Sequence, residues 1–236
     1  MLDISSTYNH LPRQLKNHYI LARHGFSLAN NDNLICSNPD IAIPSTGGPL
    51  GTGYGLHEKG KVQVKESATL LARHLFPTGS YQGNNKEPVK IFCSPFKRTM
   101  ETAAIIQETL NHQVTFNKDN MVQDPTPNLQ LRERWFGDFD MTSDDNYHIC
   151  WQDDGLAPDH GEHSKHNVES CTAVCDRATQ FIVDEIEANM EGKIVILVCH
   201  GDICQITATA FMHIEPWRQR EIKHVETAEW RDTKEL

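Results

Sequence analysis

One stretch of sequence decides the fold: Tyr19-Ile20-Leu21-Ala22-Arg23-His24-Gly25-Phe26-Ser27-Leu28-Ala29-Asn30. Its first four residues form an apolar run typical of a strand, and the run stops at an Arg-His-Gly turn. Ser27 and Asn30 follow at a spacing of three, which predicts that both lie on one face of a helical turn. Ligands of open α/β sheets bind at the carboxyl ends of strands, so this turn is a candidate site, where Gly25 would let the backbone approach a ligand.

Two further apolar runs end in the same way. Residues 90–93 precede Ser94-Pro95, a pattern that predicts a helix with Ser94 as N-cap and Pro95 as its first residue. Arg98 then lies in the first turn of that helix. Residues 194–199 are apolar throughout, as in a strand buried on both faces, and end at His200-Gly201-Asp202, where Asp202 is available to cap the next helix.

A carboxylate stands between these two strands in the sequence. Glu133 lies between Arg132 and Arg134 in a segment that continues into Trp135. Taken alone, such a carboxylate is more often part of a surface salt-bridge cluster, and a lone histidine or arginine is more often structural. The joint occurrence of these groups beside strand ends favours one common site.

The four motifs, in this order, resemble the histidine phosphatase superfamily, which includes cofactor-dependent phosphoglycerate mutases and many phosphatases. The resemblance extends from about Tyr19 to about Thr227. It implies a phosphate-accepting histidine, two phosphate-binding arginines, a proton donor and a second histidine, with further polar positions around the phosphate. Carried over residue by residue, these are His24, then Arg23 and Arg98, then Glu133 and His200, with Ser27, Asn30 and Gly201 as further phosphate-binding positions.

The alternation of strands and helices predicts an α/β fold. All-apolar central strands imply a mainly parallel sheet with helices on both faces, a three-layer arrangement like that of phosphoglycerate mutases. We expect one domain over residues 1–236, with loop or lid elaborations at 31–55 and 138–167. In a parallel sheet, the turns after the strands converge at one edge, although they are distant in sequence.

Composition narrows the function classes. The chain has 236 residues with 38% hydrophobic residues and a net charge of −10, which argues against a nucleic-acid or membrane-surface binder. Its seven cysteines, an odd number, indicate reduced thiols rather than a disulfide framework. Residues 1–18 lack a signal-peptide core and no stretch reaches transmembrane length, so we expect a soluble cytoplasmic protein. The oligomeric state is left open.

Two segments invite other functions. The glycine-rich stretch 47–55 resembles a phosphate-cradling loop, but no clear strand precedes it and Pro49 removes a backbone donor, so a surface loop is favoured. His148, His160, His163 and His166 form a histidine-rich segment without a recognised ligand spacing, so solvated histidines are favoured over a metal site. We expect neither a metal nor a cofactor.

Function follows as an expectation from the resemblance and the chemistry. Arginines can spread the charge of a phosphate monoester, and a neutral imidazole can attack its phosphorus. We expect a phosphatase acting on a small phosphorylated metabolite or related phosphoester through a phosphohistidine at His24, with Glu133 supplying a proton and His200 as a cation beside the phosphoryl oxygens. The open alternatives are a bisphosphoglycerate-dependent mutase and a silent module that binds a phosphorylated partner. Residues 141–167 contain no arginine to hold a second anionic group, which favours the phosphatase.

Departures from the family pattern leave the substrate open. Phe26 stands where the family commonly has Glu or Gln, and Val168 stands where a glycine usually precedes Glu-Ser. Asp138-Phe139-Asp140 replaces a more glycine-rich continuation. These differences bear on substrate shape more than on the reacting groups.

Overall fold

A five-stranded sheet forms the centre of the molecule in the computed structural model, which describes residues 10–44, 53–156 and 165–236. The strands are β1 (His18–Arg23), β2 (Val89–Cys93), β3 (Thr126–Pro127), β4 (Ile194–Cys199) and β5 (Trp230–Asp232). Their order across the sheet is β3-β2-β4-β1-β5. The first four strands pair in parallel and β5 runs antiparallel to β1. The predicted mainly parallel sheet is therefore confirmed.

Helices cover both faces of the sheet. They are α1 (Leu28–Asn31), α2 (Pro39–Ala42), α3 (Glu58–Leu75), α4 (Lys97–Gln113), α5 (Tyr147–Leu156), α6 (Cys171–Gln180) and α7 (Gly201–Phe211). A π-helical segment, Phe181–Glu187, continues α6. Short 3-10 turns occur at Leu129–Leu131, Gly137–Phe139, Asp144–Asn146, Lys165–Asn167, Pro216–Glu221 and Thr233–Glu235.

The period-two pattern of the central strands divides the core into two layers. Tyr19 and Leu21 of β1 pack with α6 and α7 on one face, whereas Ile20 and Ala22 pack with α3 and α4 on the other. Each of these four side chains is at most 3% exposed, as expected for a strand buried on both faces. The three-layer arrangement expected from the sequence is thus observed.

Sheet register brings distant sequence motifs together. β1 and β4 are adjacent and parallel, and Arg23 pairs with Cys199 at their carboxyl ends. The next residue of each strand is a histidine, so His24 and His200 leave the sheet side by side. β2 lies on the other side of β4, and its following loop leads into α4 with Arg98.

Local structure differs from the predictions at three points. α4 begins at Lys97 rather than at Pro95, because Ser94 accepts from the Phe96 amide and does not cap the helix. Asp202 does not cap α7; His200 occupies the N-cap position without a side-chain bond. The segment 138–167 was predicted to be a loop or lid elaboration, and it contains the helix α5.

Gly25 also has a structural role that differs from the predicted approach to a ligand. A Cβ at Gly25 would lie 2.6 Å from Val64 Cγ2 and 2.7 Å from the Gly60 carbonyl oxygen, so its missing side chain makes room for α3 rather than for a ligand. Gly60 is matched to it, because its own Cβ would lie 2.0 Å from the Phe26 carbonyl oxygen. The loop that carries His24 is thereby packed directly against the first turn of α3.

The two predicted elaborations are joined to each other within their described parts. The Ile35 amide donates to the Thr142 carbonyl at 2.9 Å, and the Met141 amide donates back to the Ile35 carbonyl at 2.7 Å. The Asp140 carboxylate accepts from Ser37 through both backbone and side chain. This pairing builds one wall above the carboxyl ends of the strands.

Within the described ranges, no helix is both long enough and apolar enough to span a membrane.

Candidate active site

His24 is buried, and its hydrogen bonds define its tautomer. Nδ1 lies 2.8 Å from the Gly25 carbonyl oxygen, which can only accept, so Nδ1 carries the proton. Nε2 accepts from Arg98 Nε at 3.1 Å and therefore presents a lone pair. Burial, together with the guanidiniums of Arg98 and Arg23, holds the pKa of His24 well below its usual range. The imidazole is consequently neutral and free of a proton at Nε2.

Arg98 connects the two histidines. Its Nη2 donates to His200 Nδ1 at 3.0 Å and to the Cys36 carbonyl at 2.9 Å, while its Nε donates to His24. Only 3% of Arg98 is exposed, yet its Nη1 is buried without a hydrogen-bond partner in residues 10–44, 53–156 and 165–236. An unpaired buried guanidinium N–H is costly, and an anion that accepted from it would remove that cost.

His200 is held in the opposite tautomer. Its Nδ1 accepts from Arg98, so Nε2 carries the proton and donates to Ser94 Oγ at 2.9 Å. Burial and the Arg98 guanidinium hold the pKa of His200 well below its usual range. His200 is therefore neutral in the free site, because a buried imidazole beside a guanidinium cannot readily take on a positive charge. The cationic state expected of it beside a bound phosphoryl group stays a prediction. The rings of His24 and His200 lie 5.2 Å apart.

Glu133 lies over the same pair of groups. Its Oε2 is 3.6 Å from His200 Nδ1 and 3.8 Å from Arg98 Nη2, and its Oε1 accepts from the Arg134 amide at 3.0 Å. Burial, reinforced by the Asp202 carboxylate, raises the pKa of Glu133 to about 7, although Arg98 opposes the shift. A carboxyl group with this pKa can either give or take a proton near neutral pH.

Arg23 forms the floor of the cleft beside this group. Its Nη1 donates to the Val225 carbonyl at 2.7 Å and to His224 Nε2 at 3.2 Å, and its Nε is buried without a partner in the described part of the chain. A Cβ at Gly201 would lie 3.3 Å from Arg23 Cζ, so this glycine leaves room for the guanidinium.

Ser27 and Asn30 lie on one short helical turn, as their spacing predicted. They form a capping box in which Asn30 Oδ1 accepts from the Ser27 amide at 3.0 Å and Ser27 Oγ accepts from the Asn30 amide at 3.2 Å. Asn30 also lines the cleft, whereas Ser27 is fully buried and does not. The structure therefore brings Asn30 to the cleft surface and gives Ser27 a local bonding partner.

The cleft above these groups has a volume of about 490 Å³. Its inner wall is formed by Arg23, Glu133 and Gly201, and its outer wall by aromatic and acidic side chains of α5 and the preceding turn. The outer wall includes Asp144, Asp145, Tyr147, His148 and Trp151. Arg23 is the single Lys or Arg among the described residues that line this cleft.

Trp151 anchors the outer wall to the inner one. Its indole Nε1 donates to Asp202 at 3.1 Å, and its ring is stacked on Tyr147 with an interplanar angle of 8°. Asp202 also accepts from Arg134 Nη1 at 3.2 Å, and Arg134 is fully buried in a bidentate pair with Asp154 of α5. A carboxylate beside His200 thus fixes the position of the helix that closes the cleft.

Several groups at the site were not found by sequence reasoning. Ser94 was interpreted as a helix cap, whereas it orients His200, and His224 gave no signal because its segment has no motif. Trp151 and Tyr147 lie in a segment predicted to be irregular. Most of the glycine-rich stretch, together with His160 and His163, falls outside the described residues. His148 lies at an exposed position of the outer wall, whereas His166 is half-buried and does not line the cleft.

The arrangement can bind an oxyanion and move protons. Arg23 and Arg98 each have a buried N–H without a partner among the described residues, and His24 has an unprotonated ring nitrogen. Glu133 has a pKa of about 7. All of these groups lie at the carboxyl edge of the sheet. They are positioned there by the strand register, by the first turn of a helix or by buried hydrogen bonds.

Comparisons with known proteins identify relatives of this fold. The family model for the histidine phosphatase superfamily (branch 1) matches residues 19–232. A mycobacterial glucosyl-3-phosphoglycerate phosphatase complexed with VO3 has a TM-score of 0.64 at 18% identity, with 90% of each chain covered. The alpha-ribazole phosphatase from Shigella flexneri has a TM-score of 0.58 at 18% identity, covering 90% of this chain and 88% of that chain. YhfR from Bacillus stearothermophilus has a TM-score of 0.60 at 19% identity, covering 91% and 89%. No curated protein sequence matches significantly.

Proposed function

The chain belongs to the histidine phosphatase superfamily, branch 1, and from that membership and the site geometry we propose that it is a phosphomonoesterase acting through a phosphohistidine. The observation that carries the proposal is the unprotonated Nε2 of His24, which accepts from Arg98 Nε. Arg98 Nη2 lies 3.8 Å from Glu133 Oε2, and Glu133 lines the cleft. The fold neighbours include phosphatases for small phosphorylated compounds, one of them complexed with an oxyanion of vanadium, which supports the same reaction class.

In the first step, the phosphate group enters between Arg23 and Arg98 and accepts from their unpaired N–H groups. Arg98 Nε then donates to a phosphoryl oxygen instead of to His24, which frees the Nε2 lone pair. Nε2 attacks phosphorus, the bond from phosphorus to the ester oxygen breaks, and the protonated Glu133 gives its proton to the departing alkoxide. The products are an alcohol, a phosphohistidine and an ionised Glu133.

In the second step, Glu133 reverses its role. Its carboxylate takes a proton from water, the resulting hydroxide attacks phosphorus, and the bond from phosphorus to His24 Nε2 breaks. Phosphate leaves and Glu133 is protonated again, so the cycle closes without net change in the protein. A pKa of about 7 suits both directions of transfer, and such a group typically contributes ~10²–10⁴-fold to the rate.

In this proposal His200 takes up a proton from solvent at Nδ1 when the substrate binds, and it returns that proton to solvent when phosphate leaves. The free site keeps it neutral, but a phosphate dianion beside its ring favours the imidazolium form. Nδ1 would then carry a proton and donate to a phosphoryl oxygen, while Ser94 keeps the ring in place through Nε2. The charge that develops in the transition state is thereby met by Arg23, Arg98 and His200, and the proposed cycle requires no metal.

The outer wall of the cleft favours a phosphatase over a phosphoglycerate mutase. A mutase must hold a substrate carboxylate in addition to phosphate, yet Asp144 and Asp145 line the wall where that carboxylate would lie. We propose that the alcohol part of the substrate is uncharged or cationic, because a carboxylated one would meet two negative side chains.

Phosphate release from a panel of sugar phosphates, nucleotides, glycerate phosphates and phosphopeptides tests the proposal. The intact protein should turn over at least one of them, and His24→Ala should lose the activity because no other group supplies the nucleophile. His112→Ala is a matched control, since His112 is an exposed histidine on α4 and should leave turnover unchanged.

The same panel of compounds also tests the alternative that the protein is a catalytically silent module that binds a phosphorylated partner. No turnover of any compound by a protein that binds phosphate or vanadate would favour that module. Equal release by the intact protein and by His24→Ala would remove His24 from the mechanism.

A further inference from the structure

A second cluster of ionisable side chains lies beside the first half of β1, where Asp232 pairs with Ile20. His74, at the end of α3, Asp232 of β5 and Glu235 bring one ligand atom each to within 4.8 Å of one another. Asp232 is 6% exposed, whereas His74 and Glu235 are at the surface. One imidazole and two carboxylates from two distant parts of the chain therefore converge on a point that solvent can reach.

Asp232 is oriented by hydrogen bonds from groups other than His74 and Glu235. Its Oδ1 accepts from His18 Nε2 at 2.6 Å and from the Lys234 amide at 3.0 Å, whereas its Oδ2 faces His74 Nε2 at 2.7 Å. A ligating carboxylate whose other oxygen is held by a histidine and a backbone amide has the outer hydrogen bonds that metal ligands usually have. The His74 ring is itself packed against Trp230, with 4.9 Å between ring centroids.

The cluster brings two carboxylates close together. Asp232 and Glu235 have oxygens within 4.8 Å of each other, and the Glu235 carboxylate makes no ion pair with any residue in the described ranges. Like charges at such a separation repel, and a divalent cation between them would cancel both charges.

We propose that His74, Asp232 and Glu235 form a zinc site, with water as the fourth ligand and His18 as an outer group that orients Asp232. Imidazole and carboxylate ligands suit Zn²⁺, whereas Mg²⁺ prefers an all-oxygen shell. Ligand atoms around tetrahedral zinc lie roughly 3.3 Å apart, given bonds of about 2.0–2.1 Å. The three ligand atoms lie within 4.8 Å of one another, so zinc binding requires the exposed Glu235 side chain to move inwards and the His74 and Asp232 ligand atoms, now 2.7 Å apart, to separate slightly. On binding, the His74 ring proton moves to Nδ1, so that Nε2 can ligate the metal.

The site would act on stability rather than on chemistry. It joins α3 to β5 and the C-terminal turn, and it lies roughly 10 Å from Arg23 along the sheet, since Asp232 pairs with Ile20 and β1 rises about 3.3 Å per residue from there to Arg23. Zinc bound here would hold the short antiparallel edge strand against the sheet without touching the cleft.

Zinc titration of the full chain tests the proposal, with calorimetry for stoichiometry and Co²⁺ absorption for coordination. We expect one Zn²⁺ per chain, tetrahedral Co²⁺ bands, and a rise in Tm of roughly 5–10 °C at zinc about 100 times its Kd. Mg²⁺ should give no rise. His74→Ala and Glu235→Gln should each weaken binding more than 10-fold, and His18→Ala by about 10–100-fold because it acts through Asp232.

Two histidine variants separate this site from other zinc ligands. His24→Ala should keep the full stoichiometry, because the cleft histidines are not involved, and the exposed His112→Ala should bind zinc like the intact protein. His74→Ala should keep phosphatase activity on any ester that the intact protein hydrolyses. Zinc binding that survives His74→Ala, or that is lost in His24→Ala, overturns the proposal, as does the absence of saturable binding.

Discussion

At the scale of single residues, one backbone carbonyl determines how His24 can react. The Gly25 carbonyl accepts only from a protonated Nδ1, so the lone pair is confined to Nε2, which faces Arg98. A histidine in the other tautomer would direct an N–H at the phosphate and could not attack it. The residue type is visible in the sequence, whereas the tautomer that makes it a nucleophile depends on the fold.

The pH dependence of activity should report on Glu133. Its pKa of about 7 means that the proton donor is lost as pH rises through 7, so kcat/KM should fall on the alkaline side. His24 has a pKa well below its usual range, so the nucleophile stays neutral in mild acid. The acidic limb of the curve of kcat/KM against pH should therefore be shifted to lower pH. Glu133→Gln should lower kcat/KM by ~10²–10⁴-fold for an alkyl phosphate and remove the alkaline limb.

Measuring kcat/KM against pH for both proteins on one substrate isolates this residue. The second ionisation of the substrate phosphate, near pH 6, affects both proteins equally. An alkaline limb of the same position in Glu133→Gln would show that another group supplies the proton.

Sequence reasoning at this scale identified the groups proposed to react but not their supports. His24, Arg98 and His200 each stand in a motif that follows an apolar strand, and Glu133 stands in a motif between two arginines. Ser94 and Trp151 act through contacts with residues 106 and 51 positions away, and such contacts leave no local pattern. The neutral state of His200 in the free site also left no trace in the sequence, because burial and a neighbouring guanidinium are properties of the folded chain.

At the scale of elements, the packing of α3 on the loop after β1 holds His24 in place. Gly60→Ala should destabilise the protein by about 1–3 kcal/mol, because its Cβ would meet the Phe26 carbonyl oxygen at 2.0 Å and force the helix away from the loop. Chemical denaturation measures this change. Alanine is the better helix former, so helix propensity alone predicts the opposite sign.

Gly155→Ala is the matched control for that change. Gly155 also lies in a helix, α5, and a Cβ there would meet no atom within 4 Å, so the free energy of unfolding should stay the same or rise. Equal effects of the two substitutions would contradict the contact between α3 and the loop.

Elements with a strong apolar pattern in the sequence were predictable, and elements without such a pattern were not. The apolar stripe of α3 and the continuous apolar runs of β1 and β4 gave clear signals. β5 has three residues, two of them charged, and α5 is polar on much of its surface, so neither has a periodic apolar pattern. Both are held by tertiary contacts, β5 by pairing with β1 and α5 by the buried ion pair of Arg134 and Asp154.

At the scale of the whole molecule, the chain has a net charge of −10, whereas the proposed phosphate site contains two arginines and opens into a cleft. Because Asp144 and Asp145 line the outer wall, esters with a carboxylate in the alcohol part should have a lower kcat/KM than uncharged analogues. Changing both residues to Asn should reduce that preference and leave the rate on the uncharged ester similar. Competing assays of a glycerate phosphate and a glycerol phosphate measure it, and an unchanged preference would contradict the assignment of the wall.

The central claim concerns a covalent bond to one nitrogen atom, and Glu133→Gln allows it to be observed. With a nitrophenyl phosphate the leaving group needs no proton, so the first step should proceed in this variant while water attack, which needs the Glu133 carboxylate, is slowed. Alkaline quenching and peptide mass spectrometry should then find a phosphate on His24 and on no other residue, and none after His24→Ala. Steady hydrolysis without a phosphorylated His24, or a phosphate on a different side chain, would contradict the account.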